Sequence, residues 1–257
     1  MIRQVTAGTV AIAVAIPLAG CGGGGAGTRS DPAAPLEALR ASVPLRVSLE
    51  PPPKPVAGPS YPLATVRPRQ TIVLHASPDG RVVQSVGART EFGSMRVFWI
   101  EKVRGDWLGV PVPEQPDGEL AWIRNDPRAL VLSQTRFWIT ADVSRRLLEL
   151  RYGNRVLDRF PVSVGSTGSP TPLGDYAITD GLVGKGLGPW YGCCVLALSG
   201  HQPNLPAGWI GGNRMAIHGT PGAVGGASSH GCLRASDPDM ISLFARVPLG
   251  TPVFIRA

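Results

Sequence analysis

Glycine and proline interrupt this chain so often that turns and short strands are favoured over long helices. Together the 33 glycines and 26 prolines exceed a fifth of the 257 residues. Proline removes a backbone donor and glycine weakens a helix. The strands show themselves by alternation. Residues 71–74 (TIVL) precede the turn Ser77-Pro78-Asp79-Gly80, and residues 96–103 form the next strand candidate, closed by Arg104-Gly105-Asp106. Residues 107–110 and 117–123 complete a β-rich middle segment. Further on, residues 137–142 and 147–152 are strand candidates. Gly153-Asn154 is a two-residue hairpin turn, and residues 155–164 return with Phe160, Val162 and Val164 on one face. Periodicity alone therefore gives an all-β chain, sandwich or barrel. One short helix is expected after Asp237, a fair N-cap followed by Pro238, with Met240, Ile241, Phe244 and Val247 along one face.

The N-terminal part reads differently. Residues 5–18 are an apolar run too short to span a bilayer comfortably, which fits a leader peptide over 1–20. Its end, Leu18-Ala19-Gly20-Cys21, resembles a bacterial lipobox, which implies lipidation of Cys21 and a membrane anchor. Residues 21–64 hold a glycine tract and then Pro51-Pro52-Pro53 and Pro55, a composition that suits an extended linker. The formal charge of +7 suits an anionic setting: wall polymer, membrane surface or nucleic acid. No basic run or interleaved aromatic stripe appears, so nucleic acid is not an expected partner. The four cysteines, Cys21, Cys193, Cys194 and Cys232, suggest no disulfide framework, because adjacent cysteines rarely bond. Residues 181–212 are glycine-rich, carry Trp190, Tyr191 and Trp209, and suit either an active-site lid or a surface insertion.

The chemistry concentrates in residues 218–234 (HGTPGAVGGASSHGCLR). Only a thiolate attacks, so a nucleophilic Cys232 needs a base. His218 and His230 both qualify, and spacing does not choose between them. Backbone N–H groups of the tight turn at His230, Gly231 and Cys232 can face a developing oxyanion. Arg234 can bind a carboxylate in a bidentate fork or form a structural ion pair. A zinc site on these histidines and a cysteine lacks paired Cys-x-x-Cys spacing, and no metal is expected.

Ser229-His230-Gly231-Cys232, preceded by His218-Gly219-Thr220, is similar to the signature of the bacterial L,D-transpeptidases. The leucine-rich strand, the Gly-Asn hairpin and the Thr171-Pro172-Leu173-Gly174 loop resemble the opening of that family's domain, so the resemblance covers residues 136–255. It implies a mostly antiparallel β-sandwich with one short helix over 136–257. It implies Cys232 as nucleophile, His218 as base with the Gly219 carbonyl orienting its ring, and His230 and Gly231 in the catalytic turn. Ser229 and Arg234 are expected to meet substrate. Arg234 stands where the family often has Asn, with Arg a common variant. The implied substrate is the peptidoglycan stem peptide, with acyl transfer through a thioester, release of D-alanine, and sensitivity to carbapenems. Hydrolysis by the same acyl-enzyme and non-catalytic wall binding are the alternatives. No cofactor is implied, and a monomer is expected. Residues 65–132, with Gly105-Asp106-Trp107 and Ala121-Trp122-Ile123, resemble a small Src-homology-3-like barrel, the alternative being a generic β-rich spacer; its tryptophans suit either a core or a ligand-contacting surface.

Overall fold

The computed structural model describes residues 57–257. The expected leader, Cys21 and most of the expected linker lie outside the described residues.

Eight strands build the first part: β1 (Tyr61–Val66), β2 (Thr71–His75), β3 (Val82–Gly87), β4 (Val97–Trp99), β5 (Lys102–Arg104), β6 (Trp107–Pro111), β7 (Leu120–Arg124) and β8 (Leu130–Thr135). The first begins four residues ahead of the boundary expected at residue 65. They form two antiparallel sheets, β4-β1-β8 and β3-β2-β7-β6-β5. The inward residues of β2, Ile72 and Leu74, join Phe98, Leu108, Val110 and Ile123 in one core. The single strand expected over residues 96–103 is two strands. The Ile100 N–H donates to Pro62 O of one sheet and the Glu101 N–H to Gly109 O of the other, so the chain changes sheets between them. Trp107 and Trp122 are buried, under the guanidinium groups of Arg124 and Arg104.

The second part comprises β9 (Phe137–Asp142), β10 (Leu147–Tyr152), β11 (Arg155–Pro161), β12 (Val164–Gly165), β13 (Gly174–Val183), β14 (Cys194–His201), β15 (Arg214–Thr220), β16 (Ala227–Ser229), β17 (Leu233–Ser236), α1 (Asp237–Arg246) and β18 (Pro252–Arg256). Eight strands run in the order β11-β10-β9-β18-β13-β14-β15-β17, antiparallel except where β18 meets β9 and β15 meets β17. Leu148 and Leu150 near one end share a contiguous core with Ile217, Leu233 and Leu243 near the other, so the sheet folds over on itself in two layers. The chain is thus mostly β with one α-helix among the described residues.

Two expectations are corrected here. Residues 181–212 are not one loop. Strand β13 continues to Val183, and 3₁₀ turns at Gly184–Gly186 and Pro189–Tyr191 lead into β14. Residues 194–200 are all buried, and a strand covered on both faces reads as an unbroken apolar run without alternation. The helix cap is Ser236, not Asp237: its backbone is extended and its hydroxyl accepts from the Asp239 N–H. Leu243 joins Met240 on the buried face, while Ile241, one residue and about 100° further round, is exposed.

A ring cluster joins the two parts. Tyr61 and Trp99 pack against Phe254 of β18, and Trp138 of β9 closes on the same ring. Only Arg136 separates β8 from β9.

Candidate active site

Strand β15 carries His218 into the site. Its neighbours in the sheet are Val195 of β14 and Arg234 of β17. The ring is buried, and Nδ1 lies 2.7 Å from the Gly219 carbonyl oxygen. A carbonyl only accepts, so Nδ1 carries the proton and Nε2 keeps its lone pair. Gly219 leaves room for a neighbour: a Cβ there would fall 2.2 Å from Oδ1 of Asp237 at the start of α1. That same oxygen accepts from the Cys193 N–H at 3.0 Å. Asp237 thereby ties the start of the helix to Cys193, beside Gly219.

Cys232 sits just ahead of β17, half-buried, and is the free cysteine among the described residues. Contrary to expectation, Cys193 and Cys194 are bonded to each other. They follow the turn that carries Tyr191, whose ring meets the His218 ring at a centroid distance of 4.9 Å.

Cys232, His218, His230 and Arg234 line one cleft of about 400 Å³, with Trp190 and Trp209 among its walls. His230 is exposed, and its ring lies against Trp209. A larger cavity of about 820 Å³ lies between the barrel strands and β13–β15. It shares Gly212, Asn213 and Arg214 with the cleft but has no cysteine among the described residues of its lining.

The electrostatics separate the two candidate partners. Burial pushes His218 down to about 4, with the Arg234 charge acting the same way and the Gly219 hydrogen bond opposing. Burial pushes the Cys232 thiol up, against a backbone hydrogen bond from Ala216 and the charge of Arg234. At neutral pH the resting pair is therefore an uncharged imidazole and an uncharged thiol. The backbone of Arg234 pairs with Ser163, but its side chain makes no hydrogen bond or ion pair among the described residues, and its buried Nε lacks a partner. A guanidinium without a counter-ion can take up a carboxylate or other anion.

The catalytic turn is held from inside. The Ser229 hydroxyl donates to Cys232 O at 2.6 Å and accepts from the Gly231 N–H at 3.0 Å. Ser229, expected to meet substrate, is buried and committed to the turn. The Gly231 N–H, one of three expected oxyanion donors, is likewise engaged. The Cys232 N–H makes no hydrogen bond among the described residues. Tyr191 is expected from sequence only among the aromatics of a lid; the contacts of Thr171, whose hydroxyl donates to Gly231 O, and of Gln202, whose Nε2 donates to His230 O, escaped sequence reasoning. A lone glutamine or threonine in a loop has no periodicity or spacing to reveal it. Among the described residues, no group of three or more His, Cys, Asp and Glu is placed to hold a metal ion.

The family model for the L,D-transpeptidase catalytic domain, YkuD, matches residues 136–255. Two curated relatives come from Bacillus subtilis strain 168. A protein carrying the name L,D-transpeptidase YkuD is 33% identical over 122 residues, covering 47% of this chain and 66% of its own length. Another, under the name L,D-transpeptidase YqjB, is 32% identical over 126 residues, covering 44% of this chain and 68% of its own. The chain thus spans about two thirds of the length of these relatives. Among solved structures it is similar to Bdellovibrio bacteriovorus Bd1075, at 24% identity and a TM-score of 0.39, over 47% of this chain and 48% of the other. An L,D-transpeptidase from Mycobacterium smegmatis is similar at 17% identity and a TM-score of 0.38, over 63% and 89%.

Proposed function

Because this chain belongs to the L,D-transpeptidase family, we propose that it transfers acyl groups between peptidoglycan stem peptides through a thioester on Cys232. The observation that carries this reading is the convergence of Cys232, a buried neutral His218 and an uncompensated Arg234 on one cleft. The substrate it calls for has a carboxylate close to the carbonyl under attack. A stem ending in D-alanine has one.

The steps balance as follows. Nε2 of His218 takes the Sγ proton as sulfur bonds to the carbonyl carbon of the diamino acid residue. Oxygen charge develops toward the Cys232 N–H. The C–N bond to D-alanine breaks, and the imidazolium returns its proton to the departing nitrogen. An amine of a neighbouring stem then attacks the thioester and loses a proton to His218, which reprotonates the leaving sulfur. The product is a cross-link and the free enzyme. Water in place of the amine gives a shortened stem instead. His230 lies at the rim with Trp209, where it contacts substrate rather than relaying protons.

The test is product analysis with a purified disaccharide-tetrapeptide. Cross-linked dimer together with D-alanine is the expected outcome. Shortened monomer alone would reassign the protein to hydrolysis, and unconsumed substrate would remove the enzymatic reading altogether.

The sequence Leu18-Ala19-Gly20-Cys21 supports a lipid anchor, which puts the cleft on the outer face of the cytoplasmic membrane, toward the wall. Mass spectrometry of the mature protein should find residue 21 at the N-terminus with a diacylglyceryl adduct. An intact or differently cleaved N-terminus would count against the anchor.

A further inference from the structure

The side-chain amide of Gln202 ties three loops together at the catalytic turn. Gln202 is the first residue after β14, and its backbone N–H donates to Asn213 O just before β15. Its side chain is buried. Nε2 lies 2.9 Å from Pro170 O, 3.2 Å from His230 O and 3.3 Å from Ser169 O. Oε1 accepts from the Asn204 N–H at 2.8 Å. Gly231 makes room for this amide. Its φ is +110°, and a Cβ there would lie 2.0 Å from Nε2.

These bonds bear on the direction of one N–H. The 230–231 peptide is pinned at both ends, its carbonyl by Gln202 and its N–H by Ser229. The next peptide is pinned through its carbonyl: the Thr171 hydroxyl donates to Gly231 O at 2.9 Å. A trans peptide points its C=O and N–H in opposite directions. Fixing Gly231 O on the Thr171 side therefore turns the Cys232 N–H, which has no partner among the described residues, the other way.

The barrel holds the base of the same loop. Asp117 Oδ1 accepts from the His201 N–H at 2.9 Å, and Glu91 pairs with Arg214 at 2.5 Å. His201 and Arg214 are sheet partners that bracket residues 202–213.

We propose that Gln202, with Thr171, is a positioning residue that aims the Cys232 N–H at the oxyanion, with the barrel steadying the loop root that carries Gln202. The inference rests on the acyl-enzyme reading above. Neither side chain needs to touch substrate; both act through backbone.

The test compares two reactions of one sulfur. Acylation by a carbapenem develops negative charge on a carbonyl oxygen and uses an oxyanion donor. Alkylation by iodoacetamide displaces iodide and uses none. Gln202→Glu keeps the shape but removes both N–H donors, and Thr171→Val removes the hydroxyl at near-constant volume. Each should slow carbapenem acylation by about 10- to 100-fold, short of the full loss of an oxyanion donor. At each pH between about 6 and 9, alkylation of the variant should stay within about twofold of the parent's rate, because it bypasses the oxyanion. Thermal melting verifies that each variant is folded. Two results would overturn the assignment: acylation at the unmodified rate, or a parallel loss of both reactions, which marks a structural role. If the unsubstituted protein is alkylated but never acylated, the acyl-enzyme reading itself fails, and that outcome is separable from the other two.

Discussion

A Cys232→Ala protein takes up no carbapenem mass and consumes no stem peptide, while melting within a few degrees of the parent. The expected loss of turnover is about 10⁴-fold or more, because the covalent route disappears rather than weakens. Among the described residues no second thiol lines the cleft, and Cys193 and Cys194, outside it, are tied up in their own bond. The fold should survive because Cys232 is only half-buried and lies outside the apolar cluster that unites the two layers. Truncating a thiol at such a place costs about 1 kcal/mol, a shift of about 4 °C or less at this size. Intact-protein mass spectrometry after carbapenem exposure is the direct measurement. A residual adduct on the alanine variant would remove the nucleophile assignment.

His218→Gln should lower kcat/KM by about 10²- to 10⁴-fold, the range of a lost general base. The pH profile of the parent gives the finer test. A general base must be unprotonated, so activity falls on the acid side as the base takes up its proton. With His218 pushed down to about 4, that limb should lie near pH 4 rather than near the 6.5 of a free imidazole. Activity at pH 5.5 should therefore approach that at pH 7 on this limb. A limb well above 4 would count against His218 as the base. Stability follows the same sign. The unfolded chain binds a proton at this residue near pH 6.5 and the native chain only near 4, so folding is favoured above both values. That contribution is lost as the pH falls between them, up to about 3 kcal/mol. Melting curves at pH 7 and 4.5 should show the loss in the parent and less of it in His218→Gln.

Much of the molecule was legible beforehand, for reasons specific to each segment. Residues 71–74, 137–142 and 147–152 lie within strands because their side chains alternate between core and surface. Strand β14 was obscured because it is buried on both faces and flanked by glycines that suggest a loop. The break at Ile100 and Glu101 leaves no mark on composition, because changing sheets alters hydrogen-bond partners and not residue preference. In the site, His218, Cys232 and Arg234 stand at spacings that a motif can capture, and the fold brings all three to one cleft. Gln202 and Thr171 act through backbone carbonyls 28 to 60 residues away in sequence, a relation that exists only once the loops are assembled. The bond between Cys193 and Cys194 was missed because adjacency argued against pairing.

The ring cluster around Phe254 has a mechanical consequence. Tyr61 and Trp99 come from the barrel, Trp138 and Phe254 from the catalytic sheet, and one residue joins the two chains of strands. Such a seam has no slack with which to swivel. A torque on the barrel is therefore handed on to the catalytic sheet, so the heading of the thiol follows whatever the barrel leans on.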